Sequence, residues 1–280
     1  MRHPGRRTRG RGHRRALTAV LASALLLTGC AQSVDPIERL GKKAAEGVRT
    51  SRPRPDDAYR RWGLATPLAA PPARPVRLLA THTGPASDPR VLDHVTTTDK
   101  VVFLTYDDGS AHDPRFADMV RDLHLPVTLF LPESAVAPAA GHYARLRAAG
   151  ATAENRTADR PALRGRPYTG QRAEICAEQD RLALRFGTRP HLLRPPHGHY
   201  DRTTLRAAGA CGISTVVLWR AVMTTDGLTY PHGDQDLQPG DIVLVGPEKT
   251  TGHTLTDRTL RLLHGIQERG MTVARLEDYL

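Results

Sequence analysis

The sequence predicts an α/β fold, with parallel strands and alternating helices, over residues 100–280 of the 280-residue chain. Two observations carry this. Short β-branched and apolar runs recur between Val101 and Ala274, and stretches with apolar residues at helical spacing lie between them. The first and longest run is apolar without in–out alternation, which marks a strand covered on both faces by helices. An α/β barrel and a doubly wound sheet both satisfy this pattern.

The elements follow in order. Val101–Tyr106 (V-V-F-L-T-Y) is the first strand and ends at Asp107-Asp108-Gly109. Pro114–Leu123 has helical spacing through Phe116, Met119, Val120 and Leu123, and Pro126 breaks it before a strand at Val127–Leu131. A helix around His142–Ala149 stops at Gly150, and a longer one, Gln171–Phe186, stops at Gly187, where a left-handed residue closes the last turn. A strand is expected at His191–Leu193, a helix at Asp201–Ala208, and buried strands at Thr215–Leu218 and Ile242–Val245. The helix Leu255–Gly270 presents Leu260, Leu263 and Ile266 on one face, and Val273-Ala274 closes the series.

Upstream, the composition changes. Residues 30–99 are rich in Pro, Arg, Ala and Thr, with P-R-P, A-A-P-P-A-R-P and T-G-P-A-S-D-P, and read as an extended tether with one short helix around Ile37–Val48. Residues 1–29 read as an export signal: a basic stretch through Arg15, then an apolar core from Ala16 to Leu27 too short to span a bilayer. Leu27-Thr28-Gly29-Cys30 resembles the lipobox of bacterial lipoproteins, which implies lipidation at Cys30 and a protein anchored to the outer face of the cell membrane. The net charge of +11 does not point to nucleic acid. Seven arginines of the export signal account for seven of those charges, four remain, and no nucleic-acid motif accompanies them. Export places the chain where disulfides persist. Cys176 and Cys211 fall in the region of two successive predicted helices, so a bridge between them and two buried free thiols both remain open.

In α/β folds the chemistry gathers where strands end in loops. Three strand ends stand out: Asp107-Asp108, Arg194-Pro195-Pro196-His197-Gly198, and Gly246-Pro247. Asp-Asp-Gly makes a good turn. Two adjacent carboxylates directly after a buried strand nevertheless favour a site, because their repulsion demands a positive partner.

These stretches resemble the polysaccharide deacetylase family (NodB homology domain, carbohydrate esterase family 4) across residues 100–280. L-T-Y-D-D-G resembles the family's T-F-D-D-G, and R-P-P-H-G resembles R-P-P-Y-G. T-V-V-L-W at 215–219 and G-D-I-V-L-V at 240–245 resemble its two late strands. The resemblance implies a distorted (β/α) barrel that removes acetyl groups from glycans by means of a divalent metal, often zinc. It implies Asp107 as the base, Arg194 as the residue orienting it, and Asp108 as a metal ligand. It also implies that Pro195, Pro196, His197 and Gly198 line the substrate site.

Three departures bear on the activity. In N-R-T-A-D-R-P (155–161) the two metal-ligating histidines of the family are replaced by Arg156 and Arg160, while Asn155, Thr157 and Pro161 keep the register. A guanidinium has no lone pair to donate. Gly246-Pro247-Glu248 stands where the family has a histidine acid, and Arg220 where it has an aspartate steadying the motif arginine. His112, His197, His199, His232 and His253 lie on predicted loops, and His253 is the best substitute acid. A zinc site rebuilt from these residues would lack the usual ligand spacing. With no metal, the expectation is that Arg156 or Arg160 pairs with Asp108. The reading is a lipoprotein whose deacetylase-like domain has lost the usual catalysis and needs no cofactor, with a cell-wall or other glycan as its partner. A working hydrolase with a rebuilt site, and a non-catalytic envelope scaffold, are the alternatives. The low aromatic content, 5%, argues against a strong sugar-stacking groove.

Overall fold

The computed structural model describes residues 57–73, 88–107, 113–157, 162–231, 236–246 and 254–280. The export signal, Cys30 and the short helix expected around Ile37–Val48 lie outside the described residues. In chain order the strands are β1 (Arg90–Leu92), β2 (Val101–Tyr106), β3 (Val127–Leu131), β4 (Thr152–Asn155), β5 (Leu192–Leu193), β6 (Thr215–Val217), β7 (Ala221–Met223), β8 (Leu228–Thr229), β9 (Ile242–Val245) and β10 (Thr272–Val273). The helices are α1 (Ala58–Arg61), α2 (Pro114–Asp122), α3 (Glu133–Val136), α4 (Ala140–Ala148), α5 (Tyr168–Phe186), α6 (Arg202–Ala210) and α7 (Leu255–Glu268).

The sheet runs β1-β6-β5-β4-β3-β2-β9-β7-β8, and β10 pairs with the first residues of β2. Every pairing is parallel except the β7–β8 hairpin. β2 is the hub: all six of its residues are buried, and it lies between β3 and β9. Such parallel strands need cover on both faces. On one side the main core includes Leu104, Tyr106, Phe116, Met119, Val120, Leu262, Leu263 and Ile266. Asp113 ties two covering helices together. One of its carboxylate oxygens accepts the Arg115 N–H at the start of α2 (3.0 Å), and the other accepts the Thr256 N–H at the start of α7 (2.8 Å).

The tether expected over residues 30–99 is corrected where it is described. Trp62 and Leu64 are buried in the main core, and the Trp62 indole donates to Asp122 (3.2 Å). Gln267 donates to the Thr66 carbonyl (2.9 Å), Thr272 donates to that of Ala69, and β1 pairs with β6. A proline-rich strand-like segment packs when a few large apolar side chains give it something to bury, and composition alone does not register this. Residues 57–73 and 88–99 therefore belong to the domain, whose boundary lies well before residue 100.

Strand β4 and the β7–β8 hairpin have no counterpart in the sequence expectation. The buried residues of β4 include Glu154 and Asn155, so its T-A-E-N carries no apolar run to read. Most other elements fall within a few residues of expectation, and β3 and β9 match it residue for residue. The cysteine alternatives resolve to a bridge. Cys176 in α5 is bonded to Cys211 at the end of α6, with their Cα atoms 5.1 Å apart.

Candidate active site

The C-terminal ends of β2, β4 and β5 bring Asp107, Arg156 and Arg194 together. The Arg194 guanidinium donates from one terminal nitrogen to one carboxylate oxygen of Asp107 (3.2 Å). Arg156 reaches the other oxygen with a terminal nitrogen at 2.9 Å. The three side chains are 0%, 6% and 11% exposed for Arg194, Asp107 and Arg156 respectively. One carboxylate is thus held between two guanidiniums, away from water. Charge-assisted contacts of this kind are the strong class of hydrogen bond.

Each participant is fixed by its neighbours. Arg194 lies in a slot made for a planar cation, 4.1 Å from the centre of the Phe130 ring and 5.4 Å from that of Trp219. Its remaining N–H groups donate to the carbonyls of Val217 (3.3 Å) and Leu218 (3.2 Å) and to the Thr105 hydroxyl (2.9 Å). Thr105 in turn donates to the Val243 carbonyl (2.8 Å), tying the arginine to β9. Arg156 is aimed by the residues on either side of it. The Asn155 amide donates to Gln179 (3.1 Å) and to the Ile175 carbonyl (3.0 Å) of α5, and its oxygen accepts the Thr157 N–H (2.7 Å). Thr157 is fully buried at φ +68°, a conformation that costs a β-branched residue energy and persists only where its surroundings impose it.

The turn after β5 is equally constrained. Pro195 and Pro196 are buried, whereas His197 is exposed, so of these three only His197 presents its side chain to solvent. Gly198 sits at φ +71°, and a Cβ there would come within 3.3 Å of the Trp219 ring, so any other residue would strain the turn and press on that ring. His197 and His199 lie with ring centres 6.2 Å apart.

Burial pulls the Arg194 guanidinium down to about 10, against the opposing pull of Asp107 and reinforced by the nearby charge of Arg156. It therefore stays protonated at neutral pH. Arg220 turns away from this cluster and approaches the fully buried Asp241 (3.7 Å). Among the described residues no carboxylate replaces the family's supporting aspartate beside Arg194; Thr105 and two carbonyls hold it there.

Arg156 pairs with Asp107; the expected pairing of Arg156 or Arg160 with Asp108 involves a residue outside the described ones. Asp108, Arg160, His112, His232, Pro247, Glu248 and His253 lie outside the described residues. Thr105 was absent from the sequence reading, although a signal existed: it sits two residues before Asp107, on the same face of β2. Phe130, inside β3, and Trp219, two residues past β6, gave no signal of their contact with Arg194.

The polysaccharide deacetylase family model matches residues 94–216. An uncharacterised protein of Streptomyces coelicolor is 56% identical over 193 residues, which cover 69% of this chain and 78% of that one. The chain belongs to the polysaccharide deacetylase family. Solved structures of the family share its fold, a distorted, curled (β/α) barrel. A variant of a Bacillus anthracis CE4 family pseudoenzyme, described as having restored enzymatic activity, matches with a TM-score of 0.58 at 17% identity, covering 68% of this chain and 71% of that one. PdaA of Bacillus subtilis, a family 4 carbohydrate esterase, matches with a TM-score of 0.56 at 18% identity, covering 68% and 84%.

For this deacetylase-family chain the resemblance implies a metal held by positions 108, 156 and 160. Position 156 does not fit that role. Its guanidinium has no lone pair, and it already lies against Asp107. Among the described residues, no three His, Cys, Asp or Glu side chains gather as a metal-binding group. What the described cluster offers is a buried polar floor of net positive charge, two guanidiniums on one carboxylate.

Proposed function

We propose that this polysaccharide deacetylase-like protein is exported, anchored through a lipid on Cys30 to the outer face of the cell membrane, and binds glycan without performing the metal-dependent deacetylation of its family. The Arg156–Asp107 ion pair carries this reading. Metal-assisted deacetylation needs a cation that binds water and makes it acidic, and a carboxylate free to take the proton. A guanidinium supplies positive charge and hydrogen bonds but does not bind water as a Lewis acid. Asp107, the base by family resemblance, has a guanidinium on each oxygen. The loss of the late histidine after β9, where Gly246-Pro247 follows the strand, points the same way.

The test uses the full-length chain, purified in detergent and supplied with zinc, on acetylated chitooligosaccharide and on peptidoglycan. The reading expects no acetate above the rate of a heat-treated control, together with retention on insoluble glycan. Sustained acetate release would establish a working hydrolase with a rebuilt site. Neither release nor binding would leave an envelope scaffold. The anchor is tested separately: Cys30→Ala should move the protein from the membrane fraction to the soluble fraction, and an unchanged distribution would refute lipidation.

A further inference from the structure

Outside the Asp107 cluster, a basic surface is formed where α5 and α6 begin. It comprises Arg164 and Arg166 in the loop entering α5, Arg172 in the second turn of α5, and Arg202 and Arg206 one turn apart on α6. The fold holds these segments together. The Gly165 N–H donates to Asp201, the N-cap of α6 (2.7 Å), Thr204 of α6 donates to Gln171 of α5 (2.6 Å), and the disulfide joins the same two helices farther along. The Arg206 guanidinium lies 5.2 Å from the centre of the Tyr168 ring, one turn before Arg172.

Most of these charges are not compensated. Elsewhere several arginines meet a carboxylate at 2.8 Å, as in Arg61–Asp122, Arg121–Asp118, Arg189–Asp180 and Arg269–Asp236. Here Arg166 alone has such a partner, Glu174 at 3.6 Å, while Arg164, Arg172, Arg202 and Arg206 are exposed and meet no carboxylate among the described residues. Asp201 does not serve them, because its oxygens face the backbone N–H groups of Gly165 and Thr204. Crowded like charges on a folded surface are unfavourable alone and become favourable when an anionic ligand spreads over them.

The position is also informative. The loop bearing Arg164 and Arg166 continues from the end of β4, which carries Arg156. α6 follows the exposed His197–His199 turn after β5, which carries Arg194. The basic surface thus follows, in the chain, both of the strand ends that supply arginines to the candidate active site.

We propose that this α5–α6 face binds an anionic glycan polymer, one bearing phosphodiester or carboxylate groups along its chain, and holds it against the mouth of the barrel. The proposal rests on the glycan-binding part of the reading above and is independent of whether catalysis survives. Spaced guanidiniums suit repeated anionic groups, and the binding should weaken with salt as exposed charges are screened.

The experiment measures binding of the full-length chain to four probes at low and high salt: polygalacturonate, poly(glycerol phosphate), a neutral chitooligosaccharide and a DNA duplex. Binding to one or both anionic glycans is expected, and which one binds identifies the anionic group. Arg172→Glu/Arg202→Glu/Arg206→Glu should weaken it by about tenfold or more, as reversal of several exposed charge contacts would. The control Arg90→Glu/Arg145→Glu/Arg261→Glu, with the same change in net charge, should leave it within about twofold. All six arginines are exposed, and unfolding curves verify that both variants fold. Equal effects of the two variants would overturn the proposal, as would tighter binding of DNA or no binding of either anionic glycan. Binding of the neutral oligosaccharide alone would overturn it while leaving the glycan-binding reading intact.

Discussion

Two buried carboxylates lie on neighbouring parts of this barrel and are treated in opposite ways. Asp107, at the end of β2, is gripped on both oxygens by cations, Arg194 and Arg156. Glu154, inside β4 one strand beyond β3, faces no cation at contact distance among the described residues. One of its oxygens accepts the backbone N–H groups of His191 (2.9 Å) and Leu192 (2.7 Å). Burial, and then the nearby Glu277, push its carboxyl well above the ordinary value, while those N–H groups pull the other way. The comparison teaches what each acid does. Glu154 satisfies the first backbone donors of β5 and works as a strand fastener, whereas Asp107 sits where positive charge has been concentrated. Only the second arrangement belongs to a site.

The comparison can be broken from the Asp107 side first. Arg194→Met removes a fully buried cation and leaves one oxygen of Asp107, the Thr105 hydroxyl and two carbonyls without the donor it supplied. The expected loss is about 3–5 kcal/mol of stability in denaturant unfolding. A loss as small as that of an exposed arginine would mean that the cluster is not the tight assembly described. Next comes a double-mutant cycle of Arg156→Ala with Asp107→Asn, for which a coupling of about 1–3 kcal/mol is expected from a contact at 2.9 Å. Additive effects would show that the pair carries no energy.

The smallest effect, of opposite sign, is on the Glu154 side. A carboxyl whose folded pKa lies above its unfolded value holds its proton longer in the folded state. It therefore favours folding at acid pH, and that favour is lost as pH rises through the folded value. Glu154→Gln keeps an acceptor for His191 and Leu192 and removes the charge. It should stabilise the domain by about 1 kcal/mol at neutral pH, with the gain disappearing at acid pH, as followed by thermal unfolding across pH. Destabilisation at neutral pH would show that the charge itself is needed.

How much of this was legible in the chain depends on what each residue type can signal. The fully apolar runs V-T-L-F-L and I-V-L-V announced β3 and β9 because burial on both faces leaves an unmistakable pattern. T-A-E-N did not announce β4, since its polar residues are buried with partners supplied by distant elements: Gln179 and Ile175 for Asn155, His191 and Leu192 for Glu154. The proline-rich stretch concealed its packing because Trp62 and Leu64 are too few to make a period. Within the site, the strand-end rule located Asp107 and Arg194, and the family resemblance drew attention to Arg156. The sequence expectation set an arginine against Asp108; the contact described is that of Arg156 with Asp107, and Asp108 lies outside the described residues.

The measurement closest to the central claim is the zinc content of the full-length protein after equilibration with zinc and dialysis. With guanidinium in place of imidazole at position 156, bound against Asp107, essentially no zinc should be retained. Retention of about one tightly held zinc per chain would contradict the claim that Arg156 stands in place of a metal ligand.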